Sequence, residues 1–364
     1  MVKSVYIHIP FCTQICTYCD FKKMYYNEEI VDKYLIALNK EITKIYDGEQ
    51  VSTIYIGGGT PTSLNMKQLK ELMNIVKRFQ KKSNVEFTVE CNIEDINNRK
   101  MKFLYDSGVN RISVGIQTMN PKFIEFLGRQ YCTDVTNKIN LLKKIGFDNI
   151  NVDLMYAFPN QTLDDLKNDL NKFLKLDVDH ISTYSLMIEP HTILYINDVK
   201  NIDEDLDYKM YSYIRKVLQE NKYFQYEISN FSKFGKESKH NLTYWYNEPY
   251  YGFGIGASGY IKGIRYQNTS NMKKYVSNNY KEETHILSKK EQIENEWILG
   301  LRKIEGISIK QFEKKYGLSP IDETVKKLLE EKKLMKNTKR IYINPKYLYT
   351  SNNILVNFIG EKNE

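Results

Sequence analysis

Six short apolar runs, at residues 5–9, 53–56, 85–89, 111–116, 150–154 and 181–186, alternate with segments whose apolar residues recur at helical spacing. No other feature restricts the fold as much. A strand–helix–strand repeat needs a crossover connection, and such crossovers are right-handed, so consecutive strands run parallel. Residues 28–45 place Ile30, Tyr34, Leu35, Leu38, Ile42 and Ile45 on one helix face, with Asn27 as N-cap. Residues 66–79 do the same with Leu69, Leu72, Met73, Val76 and Phe79, and Thr162 with Asp165 forms a capping box for a helix through Leu174. Shorter helices are predicted over 101–106 and 133–145. Six units without a clear seventh and eighth predict an α/β fold built as a partial (β/α)6 barrel; a doubly wound sheet is the other arrangement that fits. In both, ligands belong at the C-terminal ends of the strands.

After about residue 190 the rhythm breaks. The predicted organisation is a barrel over 1–235, a connecting segment over 236–287 rich in His, Tyr, Trp and Gly, and a small α+β, winged-helix-like domain over 288–364. In that last part helical periods return at Ile293, Trp297 and Leu301, at Ile309 and Phe312, and at Val325, Leu328 and Leu329. A hairpin pairing 340–343 with 354–358 is predicted to close it.

No apolar run is long enough to span a bilayer. The chain enters strand-like alternation almost at once, leaving no room for a signal peptide, so a cytoplasmic location is expected. Three of the five cysteines fall within eight positions, which suits metal binding or catalysis better than a disulfide framework. The net charge of +8 suits anionic ligands such as nucleotides, phosphates or porphyrin carboxylates. No dense basic stripe accompanies it, so no specific nucleic-acid partner is expected.

Cys12, Cys16 and Cys19 follow the first strand with three and then two intervening residues, so one loop can wrap a single soft centre from three sides. Thiolates suit iron–sulfur clusters and zinc. A closed zinc site needs a fourth nearby ligand. Asp20 is too close to Cys19 to reach the same metal, His8 lies on the incoming strand, and Cys91 and Cys132 are far off in sequence. An open fourth position suits a cluster that binds a ligand at one iron. This spacing resembles the signature of the radical S-adenosylmethionine (SAM) superfamily. The resemblance implies a [4Fe–4S] cluster on Cys12, Cys16 and Cys19, SAM chelated at the open iron, and a 5′-deoxyadenosyl radical after one-electron reduction. A donor such as flavodoxin or ferredoxin would supply that electron. Tyr18, before the last Cys, would pack near the adenine.

The second strand ends in Gly57, Gly58 and Gly59, then Thr60 and Pro61; three glycines past a buried strand point to close approach of backbone to a ligand. Glu90, Gln117 and Asp153 end the third, fourth and fifth apolar runs, where a polar side chain needs a partner. Arg129 could supply a cation for a carboxylate.

Five segments carry a closer resemblance: Tyr6-Ile-His-Ile-Pro-Phe-Cys12, residues 57–61, Val114-Gly-Ile-Gln117, Leu127-Gly-Arg129 and Asp153-Leu-Met-Tyr-Ala-Phe-Pro159. Together, in this order, they resemble the oxygen-independent coproporphyrinogen III oxidase family, and Trp297-Ile-Leu-Gly-Leu-Arg302 with Glu305-Gly306 fits its C-terminal region. By position, the resemblance implies that Tyr6, Tyr18, Gly58, Gly59, Thr60, Glu90, Gln117, Arg129 and Asp153 contact SAM. Two departures stand out. The decarboxylating enzymes have a further Cys two residues after the third cluster Cys, where this chain has Phe21, and they carry an N-terminal extension before the first strand. Both departures are shared with the family's sister group, the HemW heme chaperones, as is the motif His240-Asn-Leu-Thr-Tyr244-Trp245. That likeness implies heme as a ligand, with His240 on the iron and Tyr244 and Trp245 against the macrocycle. A neutral imidazole can ligate heme iron; without the resemblance, a hydrogen-bonded histidine in an aromatic cluster explains the same residues.

His8 is expected to back the cluster or SAM. His180, His191 and His285 fit strand-end and surface roles, and Cys91 and Cys132 fit small buried residues. Residues 252–256 form a GxGxG run without the βαβ context of a dinucleotide fingerprint. The expected function is binding of heme and its transfer to an acceptor protein, soluble or membrane-associated. The alternative is coproporphyrinogen III dehydrogenation, in which propionates are decarboxylated to vinyl groups. A nucleic-acid binder using the winged-helix-like tail ranks last.

Overall fold

The computed structural model describes residues 2–360. Six parallel strands lie side by side in chain order: β1 (Ser4–Ile9), β2 (Val51–Gly58), β3 (Lys81–Asn92), β4 (Arg111–Gln117), β5 (Ile150–Tyr156) and β6 (His180–Ser185). Strand alternation gives the sheet two unlike faces. Val5, Ile7, Ile54, Ile56, Val89, Val114, Val152 and Leu154 form an apolar layer under the helices. The interleaved positions Tyr6, His8, Tyr55, Glu90, Arg111, Asp153 and His180 turn to the other face. There Arg111 lies close enough to Glu90, Asp153, His180 and His240 to bias the protonation of each, so the sheet curls around a polar lumen.

The helices that cover the outside begin where side chains can satisfy their free N–H groups. Asn27 caps the helix Glu28–Ile45, and reciprocal capping boxes open Met66–Val76 (Asn65 with Gln68) and Leu163–Lys175 (Thr162 with Asp165). The buried stripe of the first helix starts at Val31; Ile30, expected inside, is 38% exposed.

The segment 236–287, expected as a connection, is built into the sheet. It supplies the helix Lys239–Trp245 and a seventh parallel strand, β7 (Tyr250–Phe253), paired with the free side of β1. Three antiparallel strands, Ser258–Ile261, Ile264–Asn268 and Lys281–Ile286, extend that edge, while Asn230–Ser232 and Phe224–Gln225 extend the other, giving a twelve-stranded open sheet. Gly252 hid β7 from sequence reasoning because a glycine inside a short run reads as a turn. Its purpose is packing: a Cβ there would lie 1.8 Å from the Ser258 carbonyl oxygen.

The C-terminal part has its own core, with Trp297, Leu301, Phe312, Val325, Leu328, Ile341 and Ile343. Its sheet runs Ile307–Ser308, Arg340–Ile343, Leu334–Lys336, all antiparallel, and packs with the helices Lys289–Gly300, Ile309–Tyr316 and Glu323–Glu330. This corrects the predicted hairpin. The partners of Arg340–Ile343 precede it in the chain, and 354–358 is helical, with Ile354, Leu355 and Phe358 buried at helical spacing and Val356 exposed. Phe358 stacks on Trp297 at 4.7 Å. Among the described residues no helix is long and apolar enough to cross a membrane.

Candidate functional site

β1 leads directly into Cys12, which is buried; Cys16 and Cys19 are half-buried, and all three thiols are free. The loop is pinned on both sides. Thr17 donates its N–H to the Leu127 carbonyl (3.0 Å) and its hydroxyl to the Phe126 carbonyl (3.0 Å), while Met24 and Tyr26 donate back to Pro10 and Cys12. His8 Nε2 lies 2.7 Å from the Lys22 carbonyl oxygen, which can only accept, so Nε2 carries the proton and Nδ1 accepts from the Tyr6 hydroxyl at 2.9 Å. Burial lowers the His8 pKa, which fits that neutral tautomer. His8 thus holds the end of the Cys loop from beneath.

Burial pushes the Cys12 thiol up to about 11; a hydrogen bond from Thr60 Oγ1 at 3.6 Å opposes this, and neighbouring Cys19 and Cys16 add to it. Burial holds the thiols of Cys12 and Cys19 protonated, so they need a positive centre to become thiolate ligands. Among the described residues no three His, Cys, Asp or Glu side chains form a group that could hold a metal ion. Three free thiols on one pinned loop are the donor type that suits iron–sulfur clusters and zinc.

The glycine run is wedged between this loop and Glu90. Gly58 donates its N–H to Glu90 Oε2 (2.9 Å), and Tyr55 donates its hydroxyl to Glu90 Oε1 (2.7 Å). A Cβ on Gly57 would meet the Glu90 carboxyl at 2.6 Å, and one on Gly58, where φ is +112°, would meet His8 Nδ1 at 2.3 Å. Gly59 donates to the Ile9 carbonyl and has backbone of 9–11 within 3 Å of where its Cβ would stand. The three glycines are therefore required by the protein's own packing. Burial pushes Glu90 up to about 7 despite its two donors.

Arg129 reaches into the same rim from the turn that ends the short helix Pro121–Phe126 after β4. Its Nη2 donates to Asn92 Oδ1 (3.0 Å) and the Gly115 carbonyl (2.9 Å), Nη1 donates to the Tyr18 hydroxyl (3.4 Å), and Glu94 stands 3.5 Å away. Thr13, Gln14, Cys16, Asn92, Glu94 and Arg129 line an open cleft beside the Cys loop. Gln117, at the end of β4 with φ +69°, buries an Oε1 that finds no partner among the described residues. Tyr18, the glycines, Thr60, Gln117 and Arg129 thus gather at the strand C-terminal rim; Glu90, whose strand runs on to Asn92, reaches it through the Gly58 N–H, and Tyr6 stands mid-strand, in register with Tyr55. Asp153, like Glu90, does not end its strand: β5 runs on to Tyr156, and Asp153, level with Gly115 and Asn92, faces the lumen, held by Asn151 Nδ2 at 2.9 Å and pushed up in pKa by burial.

His240 stands apart from this rim. Its helix seals the opposite end of the lumen. Nδ1 lies 2.8 Å from Thr53 Oγ1, Nε2 lies 2.8 Å from the Tyr244 hydroxyl, and the ring stacks on Tyr55. Glu86 accepts the backbone N–H groups of Lys239 and His240. Burial pushes the His240 pKa down to about 3. Both His240 nitrogens are thus satisfied in this conformation, as a buried ring requires. Nor do Tyr244 and Trp245 form one aromatic face: Tyr244 packs edge-on to Tyr250, while Trp245 lies under Arg302 of the C-terminal part.

Sequence reasoning missed Asn92, Tyr55 and Arg111. Asn92 and Tyr55 had a signal, since each lies two residues from a chosen one (Glu90, Gly57) and so shares its strand face.

The chain matches the Radical SAM superfamily over residues 6–173 and the HemN C-terminal domain over 287–346. It is 43% identical to the heme chaperone HemW of Bacillus subtilis, covering 99% of this chain and 100% of the relative. It is 41% identical to that of Lactococcus lactis (98% and 97%) and 33% identical to that of Escherichia coli (71% and 70%). The structure superposes on the coproporphyrinogen III oxidase HemN of Escherichia coli with a TM-score of 0.87 at 23% identity, over 98% of this chain and 90% of that one, a likeness of fold. Similarity at 43% and 41% identity along nearly the whole of both chains, together with the superfamily match, establishes that this chain belongs to the HemW family of the radical SAM superfamily.

Proposed function

We propose that the chain is a heme chaperone that binds heme and passes it to an acceptor protein, and that it carries a [4Fe–4S] cluster on Cys12, Cys16 and Cys19 with SAM at the adjoining rim. The observation that carries this reading is end-to-end similarity to proteins named as heme chaperones. Phe21, where the decarboxylating enzymes have a further Cys, supports it. Cluster and SAM supply one-electron chemistry when bound. The chain's own part is to position them. The Arg129 guanidinium offers a cation to a carboxylate and also binds the Tyr18 hydroxyl, and the Gly58–Glu90 contact fixes the glycine edge. An electron donor of the flavodoxin or ferredoxin kind is required only if SAM is cleaved.

Heme ligation by His240 requires the Tyr244 hydroxyl to release Nε2 and the helix Lys239–Trp245 to withdraw from the lumen; ligation elsewhere requires neither. The test is anaerobic reconstitution with iron and sulfide, then hemin titration of wild type and His240→Ala by absorption. A heme Soret band in the wild type, weakened in a folded His240→Ala variant, supports the chaperone reading with an opening lumen. Equal bands keep the chaperone but move the heme away from His240. No heme binding, with vinyl product from coproporphyrinogen III under SAM and reductant, replaces it with the dehydrogenase.

A further inference from the structure

We propose that Asn92 is a positioning residue for the cluster: it relays the Arg129 guanidinium to the Cys12 sulfur through the Thr60 hydroxyl. The inference rests on the reading above that Cys12 ligates a cluster. Three consecutive hydrogen bonds make the relay. Arg129 Nη2 donates to Asn92 Oδ1 at 3.0 Å, Asn92 Nδ2 donates to Thr60 Oγ1 at 3.1 Å, and Thr60 Oγ1 donates to Cys12 Sγ at 3.6 Å.

The direction of every bond is forced. A guanidinium only donates, so the Asn92 oxygen must face Arg129 and its amide nitrogen must face Thr60. That nitrogen only donates, so the single Thr60 hydroxyl proton is left for Cys12. Both ends are fixed: Arg129 is held by the Gly115 carbonyl and Glu94, and the Thr60 N–H is bound to the Phe11 carbonyl at 2.9 Å. The Arg129 side chain is only 6% exposed, so water does not screen it. Bonds in such a chain polarise one another, and each donor is strengthened by the bond it accepts. The result is a polarised hydroxyl aimed at one cluster sulfur, and hydrogen bonds to the sulfurs are among the factors that set cluster potential. Nothing in the strand needs an asparagine at 92 for packing; its side chain is spent on the two polar contacts.

The experiment is an EPR-monitored redox titration of the reconstituted full chain before SAM is added, for wild type, Asn92→Leu, Asn92→Asp and Thr60→Val. Leu keeps the volume and removes both bonds; Asp keeps the acceptor toward Arg129 and removes the donor toward Thr60. Losing a donor to the sulfur disfavours the reduced, more negative cluster. All three variants are expected to titrate at a more negative potential, by up to tenfold in the reduction equilibrium, about 59 mV for one electron. An unchanged potential in an Asn92→Leu protein that loads iron like the wild type overturns the inference. Should Asn92→Leu fail to load, an unchanged potential in Asn92→Asp or Thr60→Val overturns it equally. A wild type with no four-iron signal removes the reading beneath the inference, and that failure shows in the wild type alone.

Discussion

Thr53 Oγ1 sits 2.8 Å from His240 Nδ1, and this pair closes the N-terminal end of the barrel lumen. Thr53 lies near the start of β2 and Gly58 at its end, and at about 3.3 Å per residue the two are roughly 16 Å apart. The Cys loop and the His240 helix therefore occupy opposite ends of one polar channel.

His240→Ala should destabilise the fold. It removes two side-chain hydrogen bonds and a stacked ring from a closed site, at a cost of about 2–4 kcal/mol. The native state keeps this imidazole neutral to about pH 3. Its contribution is thus present above the unfolded pKa near 6.5 and declines as pH falls from there toward 3. Urea melts of both proteins between pH 7 and 4 measure this. A variant as stable as wild type at pH 7 would show that the helix does not seal the lumen in solution.

Glu41 gives the opposite sign. It is buried in the helix Glu28–Ile45, where it accepts from Gly254 N–H, Asn268 Nδ2 and the Tyr275 hydroxyl, and burial pushes its pKa up to about 7. Its contribution is full below the unfolded value near 4.5 and is lost as pH rises through 7. Wild type should lose stability relative to Glu41→Gln between pH 5 and 8, by on the order of 3 kcal/mol. A pH-independent difference in chemical denaturation would contradict this.

Gly58→Ala should leave secondary structure in place but abolish stable iron loading. Its Cβ would enter the His8 ring at 2.3 Å, and φ of +112° is strained for any L side chain. His8 cannot yield without releasing the chain after Cys19. Iron and sulfide content beside a circular dichroism spectrum decides the point; full loading would sink it.

Arg129→Lys should weaken SAM binding about tenfold or more, because a single ammonium cannot serve Asn92, Gly115 and Tyr18 together as the planar fork does. Calorimetric titration of the anaerobic, cluster-loaded protein measures it. Unchanged affinity would take Arg129 out of the SAM site.

Much of the barrel was legible because its first six strands carry short apolar or alternating runs and most of its crossover helices open on a side-chain cap. Thr162 with Asp165 is such a case, visible in sequence and present in the structure. β7 was not legible, since Gly252 interrupts its pattern and its partner lies more than 240 residues upstream. The rim residues Glu90 and Arg129 could be chosen as polar groups near apolar boundaries, but Asn92 lies beyond the apolar run 85–89, whereas the strand runs on to include it. His240 shows the other limit: a motif records which residues occur together, whereas the hydroxyls of Thr53 and Tyr244 that occupy its nitrogens come from the folded arrangement.

The pairing of β7 with β1 also has a consequence for synthesis. One side of β1 is covered only when Tyr250–Phe253 arrives. At about 5–20 residues per second, that edge stays open for roughly 10–50 s after it leaves the ribosome. An unpaired strand edge is a template for unwanted pairing, so the nascent chain is most exposed to aggregation, and most dependent on folding helpers, during the interval before its last parallel strand is made.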